Sequence, residues 1–376
     1  MKKRLVVLLV VVALVFAACG GGGGSGSEIP TINLYSGGSD NVRLSWEAAI
    51  AAFHATDPGI NVVLQFIPSD MGNVSDNFIA SVRAGVEEID MNLIDLGEHE
   101  LMRILDAAGP EALAPITVDQ VPNLSHVTGT LTFGQGMALG YRGTTVVLAY
   151  DSARVPNPPR TADELHDWIR ANPGRFAYND PTTGGAGGAF VRTTVYNEMP
   201  NESEQSSDPR WRDYWDAGIE VLAALHPYMY QTSGGVLYPA RNQGTIDLMV
   251  NGEVDIVPAW ADMALSQIAH GILPDTTRIT QISPPLTGNL QILAMPANTA
   301  NHDAVYEFLN FVVSPEAQAL FVTEMHAIPV IPNEMLPTEV VDLLAGFAFT
   351  DYRIISIGDL STYLDERWLM EIATLP

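Results

Sequence analysis

Residues 178 to 196 read YNDPTTGGAGGAFVRTTVY: a strand end, a glycine-rich turn and a helix start, the layout that cradles phosphate in nucleotide-binding enzymes. A phosphate loop of that kind requires GxxxxGK followed by Ser or Thr, because the lysine neutralises the terminal phosphates and the hydroxyl holds magnesium. Here Gly184, Gly185, Gly187 and Gly188 run into Ala189-Phe190-Val191, and the only lysines of the chain are Lys2 and Lys3. ATP hydrolysis at this loop is excluded. A dinucleotide fingerprint also fails, since Gly185 and Gly187 would need a third glycine where Phe190 stands. What survives is physical: small residues at a helix start expose backbone N–H groups, and the helix dipole favours carboxylate, phosphate or hydroxyl oxygen there. Thr183 to Gly188 is therefore a candidate binding loop; a tight turn that needs glycine for its backbone angles is the alternative.

Other chemistries find little support. Gly37-Gly38-Ser39-Asp40-Asn41 misses the last glycine of a serine nucleophile elbow. No histidine pair has the spacing of a zinc peptidase, so no metal is expected. Glu98-His99-Glu100 is the one compact acid and imidazole cluster; it follows the strand-like Met91 to Leu96, where ligands are read, or else it is a solvated turn. Paired carboxylates for glycoside hydrolysis can lie far apart in sequence, so a carboxylate-dependent glycoside hydrolase stays open as an alternative. Tyr35, Tyr178, Tyr238 and Trp260 fall near predicted strand-end loops. Trp260 precedes Asp262, and an indole face beside a carboxylate could hold an organic cation; packing in the core is the competing use of each aromatic.

Composition narrows the partners. The formal net charge is −26, and three of the 18 basic residues, Lys2, Lys3 and Arg4, lie in an N-terminal leader. A surface this acidic repels nucleic acid and anionic headgroups and favours neutral or cationic partners, or simply keeps the chain soluble. Leu5 to Ala18 is unbroken apolar sequence, short for a membrane span, which needs roughly 20 residues. With its basic start it reads as a signal peptide over residues 1–18. Phe16-Ala17-Ala18-Cys19-Gly20 resembles the lipobox of bacterial lipoproteins, which makes Cys19 a lipidation site and residues 19–27 a Gly/Ser tether; ordinary cleavage near Ala18 is the alternative. Cys19 is the only cysteine, so no intramolecular disulfide can form.

The elements that must position these residues alternate. Thr31 to Tyr35 and Ile60 to Ile67 read as strands around a helix at Trp46 to His54, Met91 to Leu96 as a buried strand and Leu101 to Ala108 as the helix after it. Met137 to Tyr150 reads as two adjacent strands. Thr161, three residues before Glu164, makes a capping box. Later, Val254 to Val257 and Leu290 to Met295 read as strands, and Ala304 to Val313 and Pro315 to Val322 as helices. The pattern predicts an α/β chain in which residues 28–146 plus 286–376 form one lobe and 147–285 the other, joined by crossing strands and enclosing a cleft.

NPPRTADELHDWIRANPGRFAYNDPTTGGAGGAFVRT, HPYMYQTSGGVLYP, VNGEVDI, GILPDTTRI and NFVVSPEAQALF together resemble the extracellular solute-binding lipoproteins of ABC transporters, in the family 1 group of thiamine-, polyamine- and iron-type carriers. The resemblance covers Glu28 to about Pro332. It implies a two-lobed periplasmic-binding-protein fold of type II kind with C-terminal helices. It further implies a monomer without enzyme activity or cofactor, anchored to the cell membrane through Cys19 and facing the outside or periplasm, which hands a small solute to a membrane permease. Carried over by position, Gly37, Gly38 and Ser39 match the loop after the first strand, Glu98 the acidic residue after the third, and Tyr178 the tyrosine before the glycine turn. Met229 separates Tyr228 from Tyr230, which departs from the adjacent tyrosines of iron carriers. The expected ligand is cationic or zwitterionic, thiamine- or polyamine-like, with sugars or small oxyanions second. Its expected contacts are Gly37 to Asp40, Glu98, Tyr178, Thr183 to Gly185, Gly187, Gly188, Tyr238, Trp260 and Asp262.

Overall fold

A computed structural model describes residues 29–38, 40–68, 74–127, 136–345 and 353–376. The leader, Cys19, the tether, Ser39 and the side chain of His99 lie outside the described residues. The chain opens as the alternation predicts: β1 (Thr31–Gly38), α1 (Asp40–Ala55), β2 (Asn61–Pro68), α2 (Val74–Arg83), β3 (Leu93–Gly97) and α3 (Glu98–Ala108). It continues through β4 (Ala138–Asp151), α4 (Ala162–Ala171), α5 (Gly185–Tyr196), α6 (Asp216–Leu225), a short hairpin of β5 (Gln231–Thr232) and β6 (Gly235–Val236), α7 (Arg241–Val250), β7 (Ile256–Trp260), α8 (Ala261–Ala269) and β8 (Thr277–Thr280). It ends with β9 (Gly288–Ala294), α9 (His302–Val312), α10 (Pro315–Met325), α11 (Thr338–Ala345) and α12 (Leu360–Glu371).

Strand order is β2-β1-β3-β9-β4-β7, with β8 also on β4. Residues 138 to 151 form one strand of 14 residues rather than two, interrupted only by a register shift between Gly140 and Arg142. The β-branched and aromatic run supports a strand throughout, and the bulge absorbs the bend at Gly140. β4 is the crossing element. Its first half pairs antiparallel with β9 up to Thr145↔Gly288, and from Val146↔Trp260 onward it pairs with β7. The chain thus leaves the first lobe along β4 and returns along β9.

Each lobe has its own core. In the first, Trp46, Phe53, Phe308 and Phe321 pack against Ile32 and Leu34 of the parallel β1/β2 pair. In the second, Phe176, Tyr178, Phe190 and Trp215 gather beneath α5. α10 starts at a capping serine, Ser314, whose side chain accepts from the N–H of Ala317, with Pro315 in the first turn. The N-cap of α4 forms as well, Thr161 accepting from the N–H of Glu164 at 3.1 Å, while the Glu164 carboxylate reaches back to the N–H of Arg160 at 2.7 Å rather than to that of Thr161.

The last segment departs from the expected division. The sequence pattern places residues 286–376 in the first lobe, whereas Ile357, Leu360, Leu364, Trp368 and Ile372 are buried in the second core. The reason is the apolar stripe Leu360-Leu364-Trp368, four residues apart, which needs a partner surface and finds it on Tyr178 and Tyr238.

Candidate functional site

The first lobe contributes carboxylates at the carboxyl end of β3. Asp95 is buried, and its Oδ2 accepts from Ser36 Oγ at 2.6 Å, Tyr141 Oη at 2.9 Å and Trp46 Nε1 at 3.0 Å, while Oδ1 is buried without a partner. Burial raises its pKa, outweighing the nearby Arg142 guanidinium and those three donors. Three residues on, α3 starts at Glu98, which is 8 % exposed and whose Oε1 also lacks a partner. A helix start normally favours an ionised carboxylate. Here desolvation dominates and pushes Glu98 up to about 7. Glu100 folds back over Gly97, where an added Cβ would stand 2.6 Å from Glu100 Oε2 and 3.0 Å from Asn289 Nδ2.

The second lobe contributes the glycine turn. Its amides are largely spoken for. The side-chain oxygen of Asn179, a fully buried residue, accepts from the N–H of Gly187 at 2.8 Å, and that of Asn242 accepts from Ala186 at 3.0 Å. Gly184 and Gly187 are glycine for space, since a Cβ at 187 would lie 1.9 Å from the Asn179 carbonyl oxygen and one at 184 would lie 2.7 Å from both asparagine side chains. Among the described residues, the N–H of Gly185 donates to no such cap, and Gly185 packs under Trp260 with a virtual Cβ only 2.8 Å from Cζ2. One turn later, glycine at 188 lets Arg192 fold back toward the helix start, its Nη2 lying 3.4 Å from where a Cβ would be. Arg192 makes no hydrogen bond and no ion pair with any described residue. Burial pushes its pKa down, opposed by the more distant charges of Asp365 and Glu100.

These walls enclose a cavity of about 240 Å³ lined by Glu98, Glu100, Gly185, Arg192, Trp260 and Asn289. The segment from Ile354 to Gly358 closes one side. It is held by Arg353, which bonds Asn197 Oδ1 and Glu204 Oε1 at 2.7 Å each and whose carbonyl accepts from Gly288 N–H at 2.6 Å. A neighbouring cavity of about 510 Å³, which shares Glu100 and Asn289, is lined by Gly37, Gly38 and Asp95. Among the described residues no group of three His, Cys, Asp or Glu side chains is placed to hold a metal ion.

The sequence-derived candidates separate accordingly. Glu98, Gly185 and Trp260 converge on one cavity, and Gly37 and Gly38 on its neighbour. Tyr178 does not reach either: it is 1 % exposed, stacked among Phe190, Tyr238 and Trp368. Tyr238 is engaged with His226 Nδ1 at 2.9 Å. Asp262 is drawn away from Trp260 into the interior, where it accepts from Thr144 Oγ1 at 2.7 Å and Asn41 Nδ2 at 3.2 Å, because successive residues at a strand-to-helix junction diverge. Thr183 Oγ1 accepts from the N–H of Arg241 at 2.8 Å, and Asp40 is exposed beside Arg43. Sequence reasoning passed over Arg192, Asn289 and the 354–358 segment. The i, i+4 spacing of Gly188 and Arg192 on a helix was the available signal for Arg192.

Comparison with known proteins agrees with this architecture. The profile of the family described as bacterial extracellular solute-binding protein matches residues 48–343. The protein YnjB of Escherichia coli K12 is 28% identical over 172 residues, which are 43% of this chain and 42% of YnjB; the chain thus aligns with less than half the length of that curated relative. Among solved structures, a candidate extracellular solute-binding protein of Bordetella parapertussis superposes with a TM-score of 0.70 at 14% identity, over 91% of this chain and 98% of the other. A candidate spermidine/putrescine ABC transporter protein of Listeria monocytogenes gives 0.63 at 13% identity, over 92% and 99%.

Proposed function

The chain belongs to the bacterial extracellular solute-binding proteins, and from that premise we propose that it is the capture component of an ABC importer, taking a small polar solute into the cleft between its lobes and presenting it to a membrane permease. As a member of that family it acts outside the cytoplasm and binds without chemistry, so the glycoside-hydrolase alternative is set aside. One observation carries the reading of the cleft. Glu98 from the first lobe, and Gly185, Arg192 and Trp260 from the second, face one enclosed volume with hydrogen-bonding capacity left over. Buried polar groups are normally satisfied, so groups left open at a lobe interface are the ones a ligand completes. The volume lies near the lower end of ligand pockets, roughly 300 to 1,000 Å³, which fits a small molecule rather than a polymer.

Closure of two lobes on a solute is a shift between open and closed forms that the solute favours by differential binding. Lipidation at Cys19 and the tether behind it would keep a monomeric receptor near its permease. An ammonium-bearing solute suits the carboxylate wall, and the name of the Listeria relative is compatible with such a ligand. Small-angle scattering of the exported protein with and without solutes from a growth-medium fraction tests the reading. Compaction with a rise in Tm is the expected result. Conversion of the bound solute into a product would overturn it.

A further inference from the structure

We propose that the cavity between Glu98 and Arg192 is built for a zwitterion, whose anionic group is held by Arg192 with the N–H of Gly185 and whose ammonium is held by Glu98. This rests on the solute-capture reading above and names the class of solute. Three independent features point to it.

Arg192 has no hydrogen-bond or ion-pair partner among the described residues, in a chain with 44 acidic residues against 18 basic ones. Partners are abundant for its other arginines: Arg175 meets Asp255, Arg353 meets Glu204 and Arg367 meets Asp216. An arginine in the wall of a cavity with no carboxylate in contact is costly, because the more distant charges of Asp365 and Glu100 repay its desolvation only in part. A planar guanidinium offers paired donors that match a carboxylate or phosphate. The free N–H of Gly185 at the head of the same helix supplies a further donor, and the helix dipole has the same sign.

On the facing wall, Glu98 lines the same volume, is more than nine-tenths buried, and keeps its Oε1 buried without a partner. A donor is missing there. Glu100, also lining the cavity, adds to the negative side.

The competing charge types each leave one wall uncompensated. A diamine would place a second ammonium against Arg192. A dicarboxylate would place a second anion against Glu98 and Glu100, and a neutral sugar would bring no anion into contact with the guanidinium, whose nearest protein charges, Asp365 and Glu100, make no ion pair with it. A zwitterion satisfies both walls, and because its charges sit on opposite lobes it favours the closed arrangement over the open one. The indole face of Trp260 lies between, available to the body of the molecule.

The test is isothermal titration of the exported protein, dialysed free of solute, with short ω-amino carboxylates, diamines and dicarboxylates of matched chain length. The amino carboxylates are expected to bind, and Arg192→Gln is expected to weaken them by about thirtyfold or more. Arg192→Lys should recover part of that loss and Glu98→Gln should cause a loss of its own. Thermal melts of the unliganded variants check folding; Arg192→Gln removes a charge whose desolvation outweighs its compensation and is expected to melt no lower than the parent. Preference for diamines or dicarboxylates, or unchanged affinity in Arg192→Gln, overturns the assignment. Binding by none of the three series also overturns it but leaves solute capture standing, and capture fails separately if no solute fraction compacts the protein.

Discussion

The indole N–H of Trp368 donates to the hydroxyl of Tyr178 at 2.9 Å, tying the C-terminal helix α12 to the floor of the glycine turn. Both residues are buried, and Tyr238 stacks against each. The bond has a consequence for the cavity, because the segment that closes one side of it, Ile354 to Gly358, leads directly into α12.

Trp368→Ala should therefore destabilise the second lobe by about 3 to 5 kcal/mol, the usual cost of emptying a large buried aromatic site. It should also weaken solute binding, since the wall loses its anchor. Tyr178→Phe leaves the indole N–H without an acceptor and should cost about 1 to 3 kcal/mol with affinity unchanged. Urea unfolding of each variant, paired with titration of a bound solute, reads the two effects separately. A loss of affinity in Tyr178→Phe at full stability would contradict the placement of that ring beneath the site.

Gly185 and Gly187 should respond differently to the same substitution. At Gly187 a methyl group would collide with the backbone carbonyl of Asn179, which cannot swing aside, so Gly187→Ala should destabilise by about 3 kcal/mol or more. At Gly185 the obstacle is the ring edge of Trp260, a side chain that is only partly buried. Gly185→Ala should keep most of the stability and displace the indole, lowering affinity. Thermal melts and titration together distinguish a folding glycine from a site glycine.

The contrast shows what the sequence could reveal. The βαβ opening, the N-cap of α4 and the crossing of the chain were legible because periodicity and caps are local. Glu98 and Trp260 were legible as candidates for the cavity wall because each ends or follows a strand, where the fold puts its loops. Tyr178 and Asp262 occupy the same kind of position yet turn inward, and that depends on partners far along the chain: Trp368 for one, Thr144 and Asn41 for the other. Arg192 escaped notice for the converse reason. An arginine inside a helix ordinarily snorkels to solvent, and only the glycine at 188 together with the opposing lobe makes it a cavity wall. The capping of the glycine turn by Asn179 and Asn242 likewise needs two asparagines that lie far apart in the sequence.

Glu98 should give the protein a recognisable pH dependence. Its pKa in the folded state, about 7, lies above its ordinary value of 4.5. Below that ordinary value the group is protonated in both folded and unfolded chains and imposes no penalty. As pH rises toward 7 the unfolded chain ionises first, so stability falls, and the full penalty is present above the folded pKa. Asp365, raised to about 6, acts in the same direction. Glu98→Gln should flatten the part of the slope that lies between its ordinary value of 4.5 and about 7, and raise Tm at pH 8. Solute affinity should move oppositely: an ammonium needs the ionised carboxylate, so binding should weaken as pH falls below about 7 in the parent and lose that dependence in the variant. Titrations in buffers of different ionisation enthalpy should show proton release near neutral pH.

Trp260 and Asp262 are two residues apart and should be separable by experiment. Trp260 lines the cavity and is partly exposed, so Trp260→Ala removes a ligand-facing surface while disturbing little packing. Its expected effect is an affinity loss on the order of tenfold, with a small change in Tm, given that an indole face against a desolvated cation is worth about 2 kcal/mol at most sites of this kind. Trp260→Phe should retain part of the affinity, and solute should change the intrinsic fluorescence of the parent more than that of either variant. Asp262 is 6 % exposed and holds Thr144 and Asn41, bridging β4 and the start of α1. Asp262→Ala should instead cost roughly 3 kcal/mol of stability, because both donors and the nearby Arg142 lose their carboxylate. Fluorescence-detected titration beside urea unfolding reads both. If Asp262→Ala keeps its stability and loses the solute, the carboxylate faces the ligand after all and the inward hydrogen bonds are secondary.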